Sequence, residues 1–507
     1  MAAEYTAEEM AEIEKIRAQR SFLGHPKGTG TLCFMQLCNS FGNYGMSAIL
    51  IYYMYLAVSQ GGLGLSQTDA AQLTSLYSAV SVLAGLVGSY MADRILGARL
   101  ALGLARSLQA FGYICLCFPS LGIFGYAASQ ILLVVAAMIS GRSLDAIMGK
   151  TYAVDDGRRD GAFTLAYVIS NIGACAPAIT GAVSLAMGYS AGFAFSAVLA
   201  AAGAIAYWAT QKKFFGPLCV RPVDPLPPAQ KRNFLIGFVV VLVAVVAFGA
   251  YLFMTGTLTV NAFANGVSTA AIFIPLVYLA YIVGSKKTTK AEKRHVLWLL
   301  PLFLCNALTM MLYAQSASII AVYTDTSVDR MLFGIEISPA AFQTFGAIFA
   351  VMWGSLLSVL WTVMGKRQPK ASTKIAMGTA FYALAPFLMV LPFLLYPAGV
   401  KVSALWIVGF WLLACLGEAF VSPNGGSLAS LVAPAAFSTQ MMTVWNLAQS
   451  TGSGISTLIV NLYQEGSEAQ YFLLIGGITV AVGLLCLIFR KKISEGLGEE
   501  SLTVAEE

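Results

Sequence analysis

The sequence predicts an all-α membrane protein with about fourteen transmembrane helices. Long apolar stretches separated by short polar gaps run from about Thr31 to Phe489. A segment of roughly 20 such residues, at about 1.5 Å rise each, matches a bilayer core about 30 Å thick. The composition agrees: of 507 residues, 58% are hydrophobic and 11% charged, and the mean hydropathy is +0.75. A soluble domain of this size carries roughly 25% charged residues. In lipid the backbone must satisfy itself as a helix or a closed barrel. Barrel strands need only about ten alternating residues, so runs this long are helices.

The expected spans lie at about 31–58, 68–92, 98–120, 128–151, 162–186, 190–211, 234–255, 268–284, 295–323, 341–364, 372–397, 402–433, 436–463 and 469–490. The eighth, Ser268–Gly284, is short for a span. Charge then orients them. Lys15, Arg17, Arg20 and Lys27 precede the first span, and alternate gaps carry basic groups: Arg94 and Arg99, Arg158 and Arg159, Lys212 to Arg232, Lys286 to Arg294, and Lys366 to Lys370. Arg490, Lys491 and Lys492 follow the last span, whereas the intervening gaps hold little beyond Arg330 and Lys401. The positive-inside rule puts both termini and all the basic gaps in the cytoplasm, in a multi-pass protein of the plasma or inner membrane. The net charge of +6 is read as this topology signal, with no nucleic-acid partner implied.

Residues 1–28 show no cleavable signal peptide, and Ala7 to Arg20 read as a short amphipathic helix. The nine cysteines mostly sit inside spans without metal-ligand spacing and read as small packing residues. The two histidines, His25 and His295, form no cluster. No metal or cofactor is expected. The linker Phe215–Pro228 holds five prolines, Pro217, Pro222, Pro225, Pro227 and Pro228, and reads as an extended connector. The plan is an N-terminal segment (1–30), a six-helix bundle (31–212), a linker with an inserted two-helix hairpin (213–294), a second six-helix bundle (295–490) and a tail (491–507).

Between the second and third spans, Gly88 to Arg99 resembles the G-x-x-x-D-R-x-G-R-R signature of the major facilitator superfamily, with Asp93, Arg94, Gly97 and Arg99 in place. A worn counterpart at Trp361–Arg367 falls between the corresponding spans of the second half, as duplicated transporter folds show. Further stretches resemble the proton-dependent oligopeptide transporter family. Asp155 to Leu165 and Tyr167 to Gly173 match its fifth-helix signature. Gly188 to Phe193 looks like its G-W-x-x-G-F turn, and Glu418 to Pro423 is similar to its E-x-x-x-S-P element, followed by Trp445. Phe333 to Ile337 and Gly365 to Pro369 also fit. The departures matter as much. Where the family's first helix has E-x-x-E-R-F-x-Y-Y-G-M-R, this chain has Gln36 to Ser47, with Gln36 and Asn39 for the two carboxylates and Ser40 and Ser47 for the two arginines. Gly141-Arg142-Ser143 stands where the fourth helix has K-P-N. Those family groups bind the peptide carboxylate and couple protons, so the resemblance leaves both functions to other residues here.

Ionisable groups inside spans are costly and are functional candidates by default. Arg142 lies roughly 21 Å and Glu418 roughly 24 Å into their spans. The resemblance makes these the fourth and tenth helices, equivalents that line a central cavity. A cation on one half and a carboxylate on the other suit a small zwitterion, Arg142 for its carboxylate and Glu418 for its ammonium. Asn171, Tyr44, Tyr52, Tyr313, Gln315 and Trp445 are the expected lining. The competing reading is that Arg142 and Asp145, three residues apart, neutralise each other. Gln36, Asn39 and Ser40 cannot titrate near neutral pH, which leaves Glu418 and Asp145 as the proton-coupling candidates. Asp93, Arg94, Arg99, Asp156 and Arg159 read either as a cytoplasmic gate or as solvated loop charge.

The leading expectation is a proton-coupled importer of small peptides or peptide-like zwitterions, with a monomer as the default state and lipid around it. A second reading keeps the fold with another small solute, such as an amino acid derivative, an amine or a neutral compound, moved without coupling. A third is a non-transporting membrane sensor or a membrane enzyme. Against an enzyme stands the sequence, which offers no phosphate-cradling loop, metal cluster or nucleophile paired with a base.

Overall fold

A computed structural model describes residues 5–499 other than 154–155, 258, 333, 398, 435–436 and 465. Of the motif residues, Asp155 and Phe333 lie outside the described residues. The chain forms two compact units, residues 1–64 with 81–263 and residues 65–80 with 264–507. The first contains α1 (Ala7–Arg17), α2 (Lys27–Tyr55), the latter part of α3 (Gln67–Met91), α4 (Ala98–Leu116), α5 (Gly122–Ser140), α6 (Ser143–Lys150), α7 (Arg158–Gly173), α8 (Ala176–Met187), α9 (Tyr189–Phe215) and α10 (Pro228–Met254). The second contains the start of α3 and most of α11 (Val260–Gly284), then α12 (Lys290–Ser316), α13 (Ile319–Thr326), α14 (Thr344–Met364), α15 (Ala371–Tyr382), α16 (Leu384–Leu395), α17 (Leu405–Leu431), α18 (Ser438–Asn446), α19 (Ala448–Ile459), α20 (Glu468–Ile488) and α21 (Arg490–Leu497). Short two-residue strand pairings, such as Val328 with Val402, occur in the second unit.

Among the described residues, eleven helical stretches are long and apolar enough to cross a membrane. The remaining three expected spans correspond to α2, α4 and the α18–α19 pair, whose apolar character is diluted by polar side chains. In α2 these are Gln36, Asn39, Ser40 and Asn43; in α4, Arg99, Arg106 and Gln109; in α19, Gln449, Ser450, Thr451, Ser453, Ser456 and Thr457. Polar groups in a membrane helix turn toward the bundle interior, so the three least lipid-like helices are the ones to search for a site.

Several spans expected as continuous helices are broken. The fourth divides at Gly141, whose φ of +45° ends α5 and lets Arg142 precede α6. A Cβ at Gly141 would meet the Ser89 amide nitrogen at 2.4 Å, so only glycine fits this crossing with α3. The fifth divides between α7 and α8, with Pro177 in the first turn of the new helix, where its missing N–H costs nothing. The ninth, eleventh and thirteenth divide between α12 and α13, α15 and α16, and α18 and α19. Hydropathy is insensitive to these breaks, because glycine, alanine and proline interrupt the backbone without interrupting the apolar run.

Each unit has its own apolar core. In the first, α1 begins with a capping box, Thr6 and Glu9 each bonding the other's backbone N–H, and buries Ile13 and Ile16 beside Phe215 and Leu218. The amphipathic helix expected at Ala7 to Arg20 is therefore present and ends at Arg17. In the second, Leu299, Leu302, Phe303, Val421, Leu428, Val444 and Trp445 pack together across α12, α17 and α18.

Candidate functional site

In the first unit, Gln36, Asn39, Ser40 and Asn43 recur at i, i+3, i+4 and i+7 and so share one face of α2. On the α7 side, Ser40 Oγ and Ser170 Oγ are 3.2 Å apart, and Gln36 Nε2 donates to both at 3.3 and 3.4 Å. Gly173 makes this contact possible: a Cβ there would sit 2.2 Å from Ser40 Cβ. The result is a network of amide and hydroxyl groups with no ionisable member. On the α4 side, Arg106 Nη1 donates to Asn39 Oδ1 and, at 2.7 Å, to Gln109 Oε1. One turn further, Tyr113 Oη donates to Asn43 Oδ1 at 3.5 Å.

Arg106 was not among the residues expected to matter. It lies inside the span expected at 98–120, but the basic group Arg94 and Arg99 at the head of that segment reads as loop charge and masks it. Scoring every ionisable residue against span limits would have found it.

In the second unit, Glu418 lies near the middle of α17 and is half-buried. Among the described residues it forms no ion pair. Tyr382 of α15 packs against Gly417, the residue before Glu418, where a Cβ would meet the Tyr382 Cβ at 2.5 Å. α15 and α17 thus cross closely beside the carboxylate. Tyr382 is fully buried, and sequence gave no signal for it, since a tyrosine within an apolar run looks like any other packing residue. Tyr313 is 37% exposed. Phe420, two residues past Glu418, packs edge-on against Trp361 and Phe381, which fixes the rotation of α17.

The other expected residues divide sharply. Gln315 is fully buried, and its Nε2 donates to Ser456 Oγ of α19 at 2.8 Å. Trp445 is buried over Gly425, where a Cβ would meet its ring at 2.1 Å. Tyr52 is buried with its ring edge-on to Tyr55. All three side chains are buried in this structure. Tyr44 is partly exposed on α2. Asn171 returns its amide to its own helix, donating to the Tyr167 carbonyl at 3.0 Å. Arg142 sits at the break before α6 with its side chain 75% exposed, 3.2 Å from Asp145 Oδ2. That is the i, i+3 pairing weighed from sequence.

These half-sites can be compared with known proteins. The sequence profile of the POT family matches residues 131–476. The chain belongs to the POT family. It is 32% identical to a di-/tripeptide transporter of Lactococcus lactis subsp. lactis (strain IL1403), over 95% of this chain and 99% of that protein. It is likewise 32% identical to an uncharacterized transporter, YclF, of Bacillus subtilis (strain 168), over 96% and 98%. A crystal structure of the peptide transporter POT in complex with sulfate superposes with a TM-score of 0.91 at 34% identity, covering 96% of this chain and 99% of that one. A POT family transporter in complex with 5-aminolevulinic acid gives 0.88 at 30% identity, over 95% and 99%. The fold is accordingly the major facilitator architecture expected from sequence, two six-helix bundles with α10 and α11 as the inserted hairpin.

In this POT-family chain the polar clusters around Arg94, Arg99 and Arg158 are tied to neighbouring segments of the first unit. Arg94 pairs with Asp224 of the linker at 2.6 Å, while the Asp93 and Arg94 carbonyls accept from the Asp224 and Leu226 amides. Asp93 itself is exposed. Arg99 Nε donates to Gln211 Oε1 at 2.9 Å, and its Nη1 donates to the Gly216 carbonyl. Arg158, rather than the expected Arg159, fastens the start of α7 to the N-terminal segment: it donates to the carbonyls of Arg17, Gln19 and Gly24 and pairs with Asp156 at 2.7 Å. The Arg158 guanidinium, by hydrogen-bonding to it, holds the Asp156 carboxyl below the usual carboxylate range. Arg159 rests beside Gly149. These groups staple the linker and the N-terminal segment to the first unit.

Proposed function

We propose that this chain is a secondary carrier that imports di- and tripeptides, or peptide-like zwitterions, by alternating access with protons as the coupling ion. The observation that carries the reading is Glu418, a half-buried carboxylate without a described cationic partner, in the middle of a membrane helix beside its crossing with α15. Such a charge is too costly to keep for packing, and it suits a substrate ammonium or a proton in transit. The names of the relatives support the same class of cargo. In this reading both termini face the cytoplasm of a cell whose plasma membrane holds the protein, and Asp145 is the second coupling candidate.

A second reading has its own observation. The Gln36, Ser40 and Ser170 network is neutral, and a solved relative holds 5-aminolevulinic acid, an amino acid derivative. A smaller solute, moved without protons, follows from that. Uptake by purified protein in liposomes separates the two, using radiolabelled dialanine competed by trialanine, alanine, 5-aminolevulinic acid, an alkylamine and nitrate. The expected result is saturable dialanine uptake that trialanine inhibits and alanine does not. Stronger inhibition by 5-aminolevulinic acid with little peptide flux transfers the assignment to the second reading. Binding without flux of any compound points to a sensor.

A further inference from the structure

We infer that Arg106 is the receptor for the carboxylate of the transported solute. This rests on the carrier reading above and deepens it. Arg106 stands eight residues into α4, roughly 12 Å from its start, where an unneutralised guanidinium is expensive to bury. Among the described residues no Asp or Glu pairs with it. Its described partners are the side-chain carbonyl oxygens of Asn39 and Gln109, which fix its direction without cancelling its charge. Its Nε is buried and has no acceptor. A guanidinium carries five donors in a planar fork, so unused capacity remains for a planar, bidentate anion, and a carboxylate is the matching shape.

Placement supports access. Gln109, Ala110 and Tyr113 share the face of Arg106 at i+3, i+4 and i+7, whereas exposed Leu100 and Phe111 lie roughly a third of a turn away. The arginine therefore points with the polar stripe of α2, and it is only partly buried, so a solute can reach it. The competing role is purely structural, a cation that ties α2 to α4.

Calorimetric binding of dialanine and of its C-terminal amide to the purified full-length protein distinguishes the two. Wild-type protein is expected to favour the free acid by about tenfold or more. Arg106→Gln should erase that preference, and Arg106→Lys should keep part of it, having the charge without the fork. Asn39→Asp supplies a neutralising carboxylate: it should weaken binding of the acid while raising the thermal midpoint. This last pair of readouts decides the matter even if Arg106→Gln does not fold. An acid-to-amide ratio unchanged in folded Arg106→Gln, or a stabilised Asn39→Asp with wild-type affinity, overturns the inference and leaves the carrier reading intact. Wild-type protein that neither binds nor moves dialanine overturns the carrier reading, and this inference falls with it.

Discussion

Glu418→Gln is expected to cut the efficiency of dialanine uptake by about 10-fold to 100-fold while leaving the protein folded. The magnitude is that of one charge-assisted hydrogen bond to an ammonium, about 1.5–3 kcal/mol. Glutamine keeps the volume of the side chain, so the packing of α17 through Phe420 on Trp361 and Phe381 is undisturbed. What is lost is the negative charge in the middle of α17. Initial-rate kinetics on matched amounts of reconstituted protein give the answer. An efficiency within twofold of wild type would show that the substrate ammonium is recognised elsewhere.

Gly88→Val is expected to be the most damaging single change in the first unit. A Cβ at Gly88 would lie 2.2 Å from the Ala137 carbonyl oxygen and 2.5 Å from the Gly141 nitrogen. Both are backbone atoms, which cannot swing aside as a side-chain terminus does. Overpacking commonly costs about 1–3 kcal/mol, and a clash against backbone belongs at or above the upper end. The variant should elute as aggregate, or as a minor folded fraction with a clearly lower thermal midpoint. Normal elution and wild-type melting would mean that α3 and α5 do not meet at this glycine pair.

The fold was legible because bilayer thickness imposes a length on every span, and apolar length can be read directly. Charge asymmetry and the Gly88 to Arg99 signature then set the plan. The broken helices were not legible, since Gly141 and Pro177 interrupt geometry without lowering hydropathy. Glu418 stood out because a carboxylate in an apolar run is costly to keep for packing alone. Arg106 was missed although the same reasoning applies to it, because a basic group nearby supplied an easier explanation. The burial of Gln315 and Trp445 was not legible either. Residue type marked them as ligand-like, but which face they present depends on the crossing of α12 with α19 and of α17 with α18, which no local pattern encodes. The Arg142–Asp145 pair was legible, because the sequence had already displayed its three-residue spacing.

The central claim is that coupling runs through carboxylates outside the first membrane helix, because Gln36, Asn39 and Ser40 cannot carry a proton. The most direct measurement compares dialanine accumulation in liposomes with an acidic exterior, for wild-type protein and for the double variant Asp145→Asn, Glu418→Gln. The account predicts accumulation above equilibrium by wild-type protein, collapsed by a protonophore, and no response to the gradient in the double variant. Gradient-driven accumulation that persists in the double variant would contradict it.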